Sequence, residues 1–463
     1  MSSQLALQDQ FNRPIVYAMK VLLDNNANSK SALLGAIESA GAVVSEFELE
    51  YVDPQTSQSA YQMMVFATGD DQIEQAVDAA GALGGVTVSE VLDLAMEAHR
   101  NGACEMVSTS SIESDTDLRI VYTPGVARVC KAIEADPELA REFTGIHNTV
   151  AIVTNGTAIL GLGDIGCVAG MPVMEGKSAI FSEFTKISAI PILVDTKDPK
   201  EFVDAIVKIA PSFGAIQVED VAAPQCFEIT RELDRRLDIP VMHDDQHGTA
   251  SIVLAGLFSA LKITGKQIEN TRCAISGAGA AATAISELLQ QAGIKDVVLV
   301  DSKGIVSRDR TDLDPEKSAL AQRTNADNIS GTLADAIRGT DLFIGCSRPN
   351  LVSQDMIRSM NADPIVFALA NPVSEISRED ALEAGAAIYA DGRTMNNAIA
   401  YPGIFRGAMD AGSDRIDFAM MNAAAHKLAE IVPAGELLPP MMDPATHEAV
   451  AKAVMEAAPC NRD

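Results

Sequence analysis

At 463 residues the chain exceeds what one hydrophobic core can organise, since single cores stop growing near ~250–300 residues. Its 35 Lys and Arg against 64 Asp and Glu leave a net charge of −29, which repels phosphate backbones and anionic membrane surfaces and excludes both as expected partners. Tryptophan is absent, so the stacking platforms of single-strand nucleic-acid binders are missing too. A small dianionic substrate would meet the same repulsion, and a site for one needs local cationic or metal charge. The cysteines, Cys104, Cys130, Cys167, Cys226, Cys273, Cys346 and Cys460, form no C-x-x-C pair and read as free thiols of a reducing compartment. The start, Met1-Ser2-Ser3-Gln4-Leu5-Ala6, lacks a basic n-region, and no stretch approaches the ~18 apolar residues of a membrane span. A soluble, cytoplasmic protein is expected.

Residues 14 to 90 read as a self-contained unit. Pro14 to Leu23 is a strand-like run, Ser31 to Ala40 carries Leu33, Leu34 and Ile37 at helical spacing, and Val43, Phe47, Leu49 and Tyr51 alternate as on a half-buried strand. Asp53-Pro54 to Ser59 reads as a hairpin loop, followed by a strand at Tyr61 to Ala67, a helix at Asp70 to Ala80 and a strand at Val86 to Ser89. This ferredoxin-like α+β order resembles the ACT family of small-molecule regulatory domains. The resemblance implies a metabolite effector near the loop Asp24-Asn25-Asn26-Ala27-Asn28; a plain dimerisation module is the alternative. A helix over Val91 to Arg100 and a polar linker over Ser108 to Asp117 follow, with a domain boundary near residue 100. Beyond it strands and helices alternate, which predicts α/β architecture.

Two apolar runs in that part end in carboxylates. Glu219 and Asp220 follow Ala215-Ile216-Gln217-Val218, and Asp245 closes Ile239-Pro240-Val241-Met242-His243-Asp244. If both runs are parallel strands, their C-terminal ends open on the crevice where open α/β sheets bind ligands. A set of hard oxygen donors suits Mg²⁺ or Mn²⁺. His243 and His247 bracket the aspartates, but the Glu of H-E-x-x-H is missing, so zinc is not favoured.

Two glycine loops compete for a dinucleotide. Gly161-Leu-Gly163-Asp-Ile-Gly166 matches G-x-G-x-x-G to the letter, yet Pro172 and Gly176 behind it predict that no long helix opens there. Behind Gly277-Ala-Gly279-Ala280-Ala-Ala282 an uninterrupted helix runs to Gln291, and the strand Val297 to Val300 ends in Asp301, placed to accept from the adenosine ribose hydroxyls. The second loop is therefore the expected cofactor site, and the first a tight turn near the substrate.

From about residue 105 to the end the chain resembles the malic enzyme family in its bacterial short form. The resemblance rests on Val121-Tyr122-Thr123-Pro124-Gly125-Val126, the run Ala158 to Gly166, Glu175-Gly176-Lys177, Val218-Glu219-Asp220, His243-Asp244-Asp245-Gln246-His247-Gly248-Thr249-Ala250, Asn371-Pro372, and Asn396-Asn397 before Tyr401-Pro402-Gly403. It implies oxidation of L-malate with NAD or NADP and a divalent metal, releasing CO₂ and pyruvate. Lys177 is then the base that accepts the hydroxyl proton as hydride leaves C2, and burial with nearby positive charge is expected to keep it neutral. Glu219, Asp220 and Asp245 are the implied metal ligands, with Asp244 orienting the metal or Lys177. Tyr122 is the implied acid that protonates C3.

Eukaryotic members carry a carboxylate-gripping arginine just before Leu-Gly-Leu-Gly, where this chain has Thr157-Ala158. Asn371, Asn396 and Asn397 are the expected substitutes, through their amide donors; Asn371 is also a cofactor candidate beside Gly277, Gly279, Ala280, Ala282 and Asp301. Asp301 favours NAD, although Lys303 could offset its repulsion of a 2′-phosphate. The expected layout is an ACT-like domain over 14–90, a substrate and metal domain over 100–262, and a Rossmann-type domain with C-terminal helices over 263–463, in a homo-oligomer. Two readings stand beside the oxidative decarboxylase: a malolactic-type lyase, and an NAD-binding metabolite sensor.

Overall fold

The computed structural model describes residues 15–24, 29–53, 58–159, 162–370 and 373–459, in two compact units, Met1–Glu105 and Met106–Asp463. In the first unit β1 (Ile15–Asp24), α1 (Ser29–Ser39), β2 (Val43–Asp53), β3 (Gln58–Ala67), α2 (Asp70–Gly81) and β4 (Val86–Asp93) form an antiparallel sheet of order β2-β3-β1-β4. Alternation explains the central place of β1 and β3. Tyr17, Met19, Val21 and Leu23 on one strand and Tyr61, Met63 and Val65 on the other all turn to the face that α1 and α2 cover with Leu33, Ile37, Ile73 and Ala76. Two expectations change here. Leu49 and Tyr51 are exposed, because β2 is the edge strand and only its first part, Val44 and Phe47, packs on the core. β4 also runs on to Asp93, whose side chain accepts from the backbone N–H of Ala95 and Met96 and starts a single helical turn, Leu94–Ala98, in place of the longer helix expected over 91–100.

The second unit begins with three short helices, α3 (Asp115–Val121), α4 (Val126–Ala135) and α5 (Ala140–Phe143). Ser114 caps the first, so the polar linker, expected to run to Asp117, ends at Ser114. None of the three buries a residue, and the first buried side chain of this unit is Val150.

Two sheets follow. β5 (Thr149–Thr154), α6 (Met171–Thr185), β6 (Ser188–Leu193), α7 (Pro199–Ile209), β7 (Ala215–Val218), α8 (Gln225–Arg236) and β8 (Val241–His243) give a parallel sheet of order β6-β5-β7-β8. After α9 (Thr249–Thr264) come β9 (Arg272–Ser276), α10 (Ala280–Gln291), β10 (Asp296–Asp301), β11 (Gly304–Ile305), α11 (Pro315–Arg323), β12 (Leu342–Gly345), β13 (Ile365–Ala368) and β14 (Ile388–Asp391), with strand order β11-β10-β9-β12-β13-β14. Every pair in that sheet is parallel except β10 with β11. The chain steps one way from β9 to β10 and then crosses back to β12, so the crevice of this Rossmann-type sheet opens beyond the C-terminal end of β9. Helices α12 (Tyr401–Ala411), α13 (Phe418–Ile431) and α14 (Pro444–Ala457) close the unit.

A boundary at 262/263 does not divide compact units. Residues of both sheets, Ile152 and Met242 from one and Ile275 and Leu299 from the other, share one core through α9, whose Ile252, Val253, Leu254 and Leu257 are inaccessible. Each such side chain contributes about 1.5–3 kcal/mol by burial, so α9 welds the two sheets into one body. The run Asp244–Thr264, 21 residues, is long and apolar enough to cross a membrane, contrary to the sequence expectation. Its apolarity is explained by its burial as this central helix.

Candidate active site

Register places the carboxylates. Val218 of β7 pairs with His243 of β8, so the residues that come next, Glu219-Asp220 and Asp244-Asp245, leave neighbouring strand ends at the same level. Asp220 adopts a left-handed backbone (φ 50), unusual for a residue with a Cβ, and Asp244–Gly248 form one π-helical turn; both conformations concentrate at functional sites. Ligand-type oxygens of Glu219, Asp220 and Asp245 lie within 4.8 Å of one another. Glu219 and Asp220 are buried, while the Asp245 side chain is 38% exposed, giving the cluster an open side. Gln217 donates to Glu219 at 2.5 Å, and the Asp220 N–H donates to Asp245 at 3.2 Å.

Lys177 reaches this cluster from α6. Its ammonium donates to Asp244, pairs with Glu219 at 3.1 Å, and stands 4.8 Å over the Tyr401 ring. Burial alone would lower its pKa, but Asp244, Glu219 and Tyr401 raise it by more, and the net direction is well upward. The expected neutral lysine is therefore not what these neighbours favour, because the nearby charges are negative. Burial pushes the Asp244, Asp245 and Glu219 carboxyls up in turn. For the touching Lys177–Asp244 pair, attraction favours the charge-separated form and burial opposes it, and the net upward direction at Lys177 keeps the proton on its nitrogen, hydrogen-bonded to one Asp244 oxygen.

Asn397 donates to Asp244 at 2.9 Å, and Asn396 accepts from the Ala398 N–H at 2.9 Å, capping its own short helix. Asn397 thus positions Asp244 in this geometry, and the Asn396 amide nitrogen keeps its donors for other partners. Asn371 lies outside the described residues. Tyr122 is not brought to the cluster: it is 64% exposed, and among the described residues no hydrogen bond, ion pair or ring contact links its side chain to Lys177. His243 and His247 stay neutral, burial holding each near a pKa of about 4. Burial also pushes the Cys226 thiol up to about 12, away from nucleophilic use.

One sequence argument fails. A 15-residue helix, α6, does open after the first glycine loop, since Pro172 occupies its first turn, where a missing N–H breaks no helix bond, and Gly176 is tolerated inside. The described part of the loop nonetheless does not follow directly on a strand: β5 ends at Thr154, and Gly163 pairs with Ile159 in an isolated bridge. Gly156 (φ 71) lets the backbone approach Gly166 so closely that a Cβ would lie 2.3 Å from its carbonyl carbon, and α6 delivers Lys177 to the metal-type cluster.

The second loop sits in the Rossmann crevice. Gly277 (φ 124) leaves β9 where a Cβ would meet the Cys346 carbonyl oxygen at 2.8 Å, and α10 starts at Ala280 without a side-chain cap, with Gly279 and Thr283 lining a cavity of about 670 Å³. Ala282 is buried at the helix's packed side. Such an N-terminus suits a pyrophosphate. Asp301 lines the same cavity at the end of β10, but Arg310 grips both its oxygens at 2.8 and 3.1 Å and Lys317 stands 3.6 Å away. Burial would raise its pKa, yet Arg310, the Lys303 N–H and Lys317 hold it below the usual range. Arg310 was invisible as a partner until β10 and the loop after β11 were in place, although the acid-rich Asp309-Arg310-Thr311-Asp312 was a hint. Glu375 was missed too: fully buried, it accepts from the N–H of Ser347 at 2.9 Å and of Ala370 at 3.1 Å, tying together the loops after β12 and β13. Gly345 leaves it room, since a Cβ there would lie 2.2 Å from its carboxyl carbon.

Comparison with known proteins agrees with this arrangement. Residues 101–234 match the malic enzyme N-terminal domain and residues 246–459 the malic enzyme NAD binding domain. The chain belongs to the malic enzyme family. An NAD-dependent malic enzyme of Geobacillus stearothermophilus is 41% identical, over 95% of this chain and 94% of the relative. A bifunctional malic/malolactic enzyme of Bacillus subtilis is 43% identical over 77% of this chain and 90% of its own length. A malic enzyme from Pyrococcus horikoshii superposes with a TM-score of 0.76 at 42% identity, covering 78% of this chain and 89% of that one. In malic enzyme terms, the paired sheets carry a carboxylate-and-lysine centre and a nucleotide crevice in one compact unit.

The Asp301 geometry yields a prediction. Asp301→Ala is expected to raise KM for NAD⁺ and shift relative kcat/KM toward NADP⁺ by roughly tenfold, because it deletes a charged acceptor and releases Arg310 and Lys317 toward a 2′-phosphate. Parallel kinetics with both cofactors measure it, and an unchanged ratio would place selection in another loop.

Proposed function

We propose that this chain catalyses metal-assisted oxidative decarboxylation of L-malate to pyruvate and CO₂, reducing NAD or NADP, with Lys177 as base and Tyr122 as acid. The observation that carries the reading is Lys177 held against Asp244 and Glu219 at a three-carboxylate cluster, in the same compact unit as the nucleotide crevice. The cluster fits Mg²⁺ or Mn²⁺ by donor type and spacing, and its buried, mutually repelling carboxylates favour a cation. When bound, such an ion supplies Lewis-acid stabilisation of negative charge developing on substrate oxygens. The nicotinamide, when bound, supplies the hydride acceptor.

The chain's own groups handle the protons. Lys177 passes its proton to Asp244, which Asn397 holds in place, and the neutral amine takes the C2 hydroxyl proton as hydride leaves C2. The C3–C4 bond of the β-keto acid then breaks, CO₂ departs, and C3 of the enolate takes a proton from Tyr122, which Lys177 restores. Incubating the full chain with L-malate and Mn²⁺, and following pyruvate together with NADH or NADPH, tests the reading; no reduced cofactor and no pyruvate would reject it. The Bacillus subtilis relative supports a second outcome, in which the hydride returns to pyruvate and lactate leaves. Lactate without accumulated NADH would mark it. Neither is compatible with the sensor reading, which needs a silent centre.

The first unit is, in our reading, a ferredoxin-like regulatory domain of ACT type. Its β-α-β-β-α-β order supports this, while the asparagine loop assigned to the effector lies outside the described residues. Because 105/106 divides the compact units, deleting residues 1–105 is expected to leave kcat within about threefold while abolishing any effector response. A metabolite screen on both forms checks it. An effector acting equally on both would place regulation in the catalytic unit.

A further inference from the structure

The loop over residues 219–224 belongs to both functional sites. Its first two residues, Glu219 and Asp220, stand in the carboxylate cluster, while Ala223 and Pro224 at its end line the nucleotide cavity together with Gly277 and Asp301. Asp220 in between holds a left-handed backbone (φ 50) although it carries a Cβ. Such a conformation persists only where the surroundings dictate it.

The chain leaving β5 supplies those surroundings. The Glu219 N–H donates to the Val153 carbonyl at 2.9 Å, which carries the pairing of β5 and β7 one residue past the strand end. The Ala158 N–H then donates to the Asp220 carbonyl at 3.0 Å, and the Thr157 hydroxyl accepts from the Ala222 N–H at 2.9 Å. The left-handed residue is thus gripped on both sides. The orientation of that hydroxyl is itself fixed. It donates its only proton to Asn155 Oδ1 at 2.7 Å, so a lone pair is left for Ala222, and the Asn155 amide donates to the Thr196 carbonyl at 3.2 Å beyond β6. Asn155 is buried and Thr157 half-buried, where water competes little for such bonds.

We infer that Thr157 is a positioning residue, a latch that holds residues 219–224 in the single conformation that both the cation and the dinucleotide require. This rests on the reading of the carboxylate cluster as the metal site. With the latch, each ligand meets a preformed loop and binds almost independently of the other. Without it, the loop is competent only part of the time, and both apparent affinities fall by that fraction. The first ligand to bind then restores the loop for the second, so loss of one hydroxyl makes the two sites cooperative.

Binding measured without turnover tests it. The full chain, Thr157→Val and Thr157→Ser are titrated with Mn²⁺, and separately with NADH or NADPH by fluorescence, using whichever the unmodified chain binds more tightly. Thr157→Val keeps the side-chain shape and removes the hydroxyl, and should weaken both ligands about tenfold when each is added alone. Saturating Mn²⁺ should bring its nucleotide affinity back to within about threefold of the unmodified value. Thr157→Ser keeps the hydroxyl and should bind both ligands as the unmodified chain does. A merely structural hydroxyl would lower the melting temperature without linking the two affinities. Thr157→Val binding both ligands normally, or a nucleotide defect that Mn²⁺ does not repair, would overturn the latch while leaving the metal site intact. An unmodified chain that takes up no Mn²⁺ would overturn the metal reading and the latch with it. Amide exchange on the unmodified, metal-free chain needs no variant: the Ala222 N–H should exchange as slowly as strand amides, and exchange at the rate of an open loop would overturn the latch even if Thr157→Val failed to fold.

Discussion

Lys177→Ala is expected to lower kcat by about 10³-fold, within the range that general acid–base groups contribute. The side chain does two jobs that alanine cannot: it accepts the C2 hydroxyl proton, and it neutralises Asp244 and Glu219, both buried. Removing one partner of a buried pair costs roughly 3–5 kcal/mol, so part of the loss in a simple activity assay would come from destabilisation. The double variant Lys177→Met with Asp244→Asn separates the two. It replaces the pair by uncharged groups of similar size and, with Mn²⁺ present to offset the Glu219 charge, should recover most of the melting temperature while staying inactive. Single-turnover NADH formation at saturating malate, read beside a thermal melt, measures both. Hydride transfer at the unmodified rate in a folded Lys177→Ala protein would remove Lys177 from the reaction.

How far this centre is legible in the sequence differs from residue to residue. Glu219, Asp220 and Asp245 are readable because β7 and β8 are short apolar runs with acids immediately after them, and parallel strands bring consecutive C-terminal ends together whatever the intervening helix does. The nucleotide crevice is readable for the same reason, as a strand, a glycine turn and an uninterrupted helix are local features. What is not readable is the sign of the field around Lys177. A lysine in a motif implies a base, but only the fold decides whether its neighbours are cations or carboxylates, and here Asp244 comes from 67 residues away.

The same limit hides partners that lie far apart in the chain or depend on a tertiary turn. Asp301 is recognisable as a strand-end acid, yet its bidentate partner Arg310 depends on how the chain returns after β11. Glu375 carries no local signature, since its role is to bridge two loops whose strands are neighbours only in the sheet. Pro172 misled for a different reason. Proline opposes a helix interior but favours a helix start, and the sequence alone does not say which turn it occupies. In the first unit, alternation along β2 correctly marks a strand while overstating its burial, because period-two patterning does not distinguish a central strand from an edge.

Asp245→Ala should abolish turnover, by about 10³-fold or more, through loss of the cation rather than loss of the fold. Its side chain is 38% exposed, unlike Glu219 and Asp220, so truncation strands only the Asp220 N–H that donates to it and should cost about 1–3 kcal/mol, well short of unfolding. Two carboxylates remain, too few to hold a hard divalent ion that must also keep open positions for substrate. Mn²⁺ titration of the protein without malate or cofactor gives a readout independent of activity, with one site per chain expected in the unmodified protein and none in Asp245→Ala. Asp244→Asn provides the contrast, because Asp244 holds Lys177 and Asn397 while the spacing of the other three carboxylates does not depend on its charge. It should keep the Mn²⁺ site and lose turnover. If Asp245→Ala bound Mn²⁺ as the unmodified chain does, or if the unmodified enzyme turned over malate fully in excess chelator, the three-carboxylate cluster would not be the metal site.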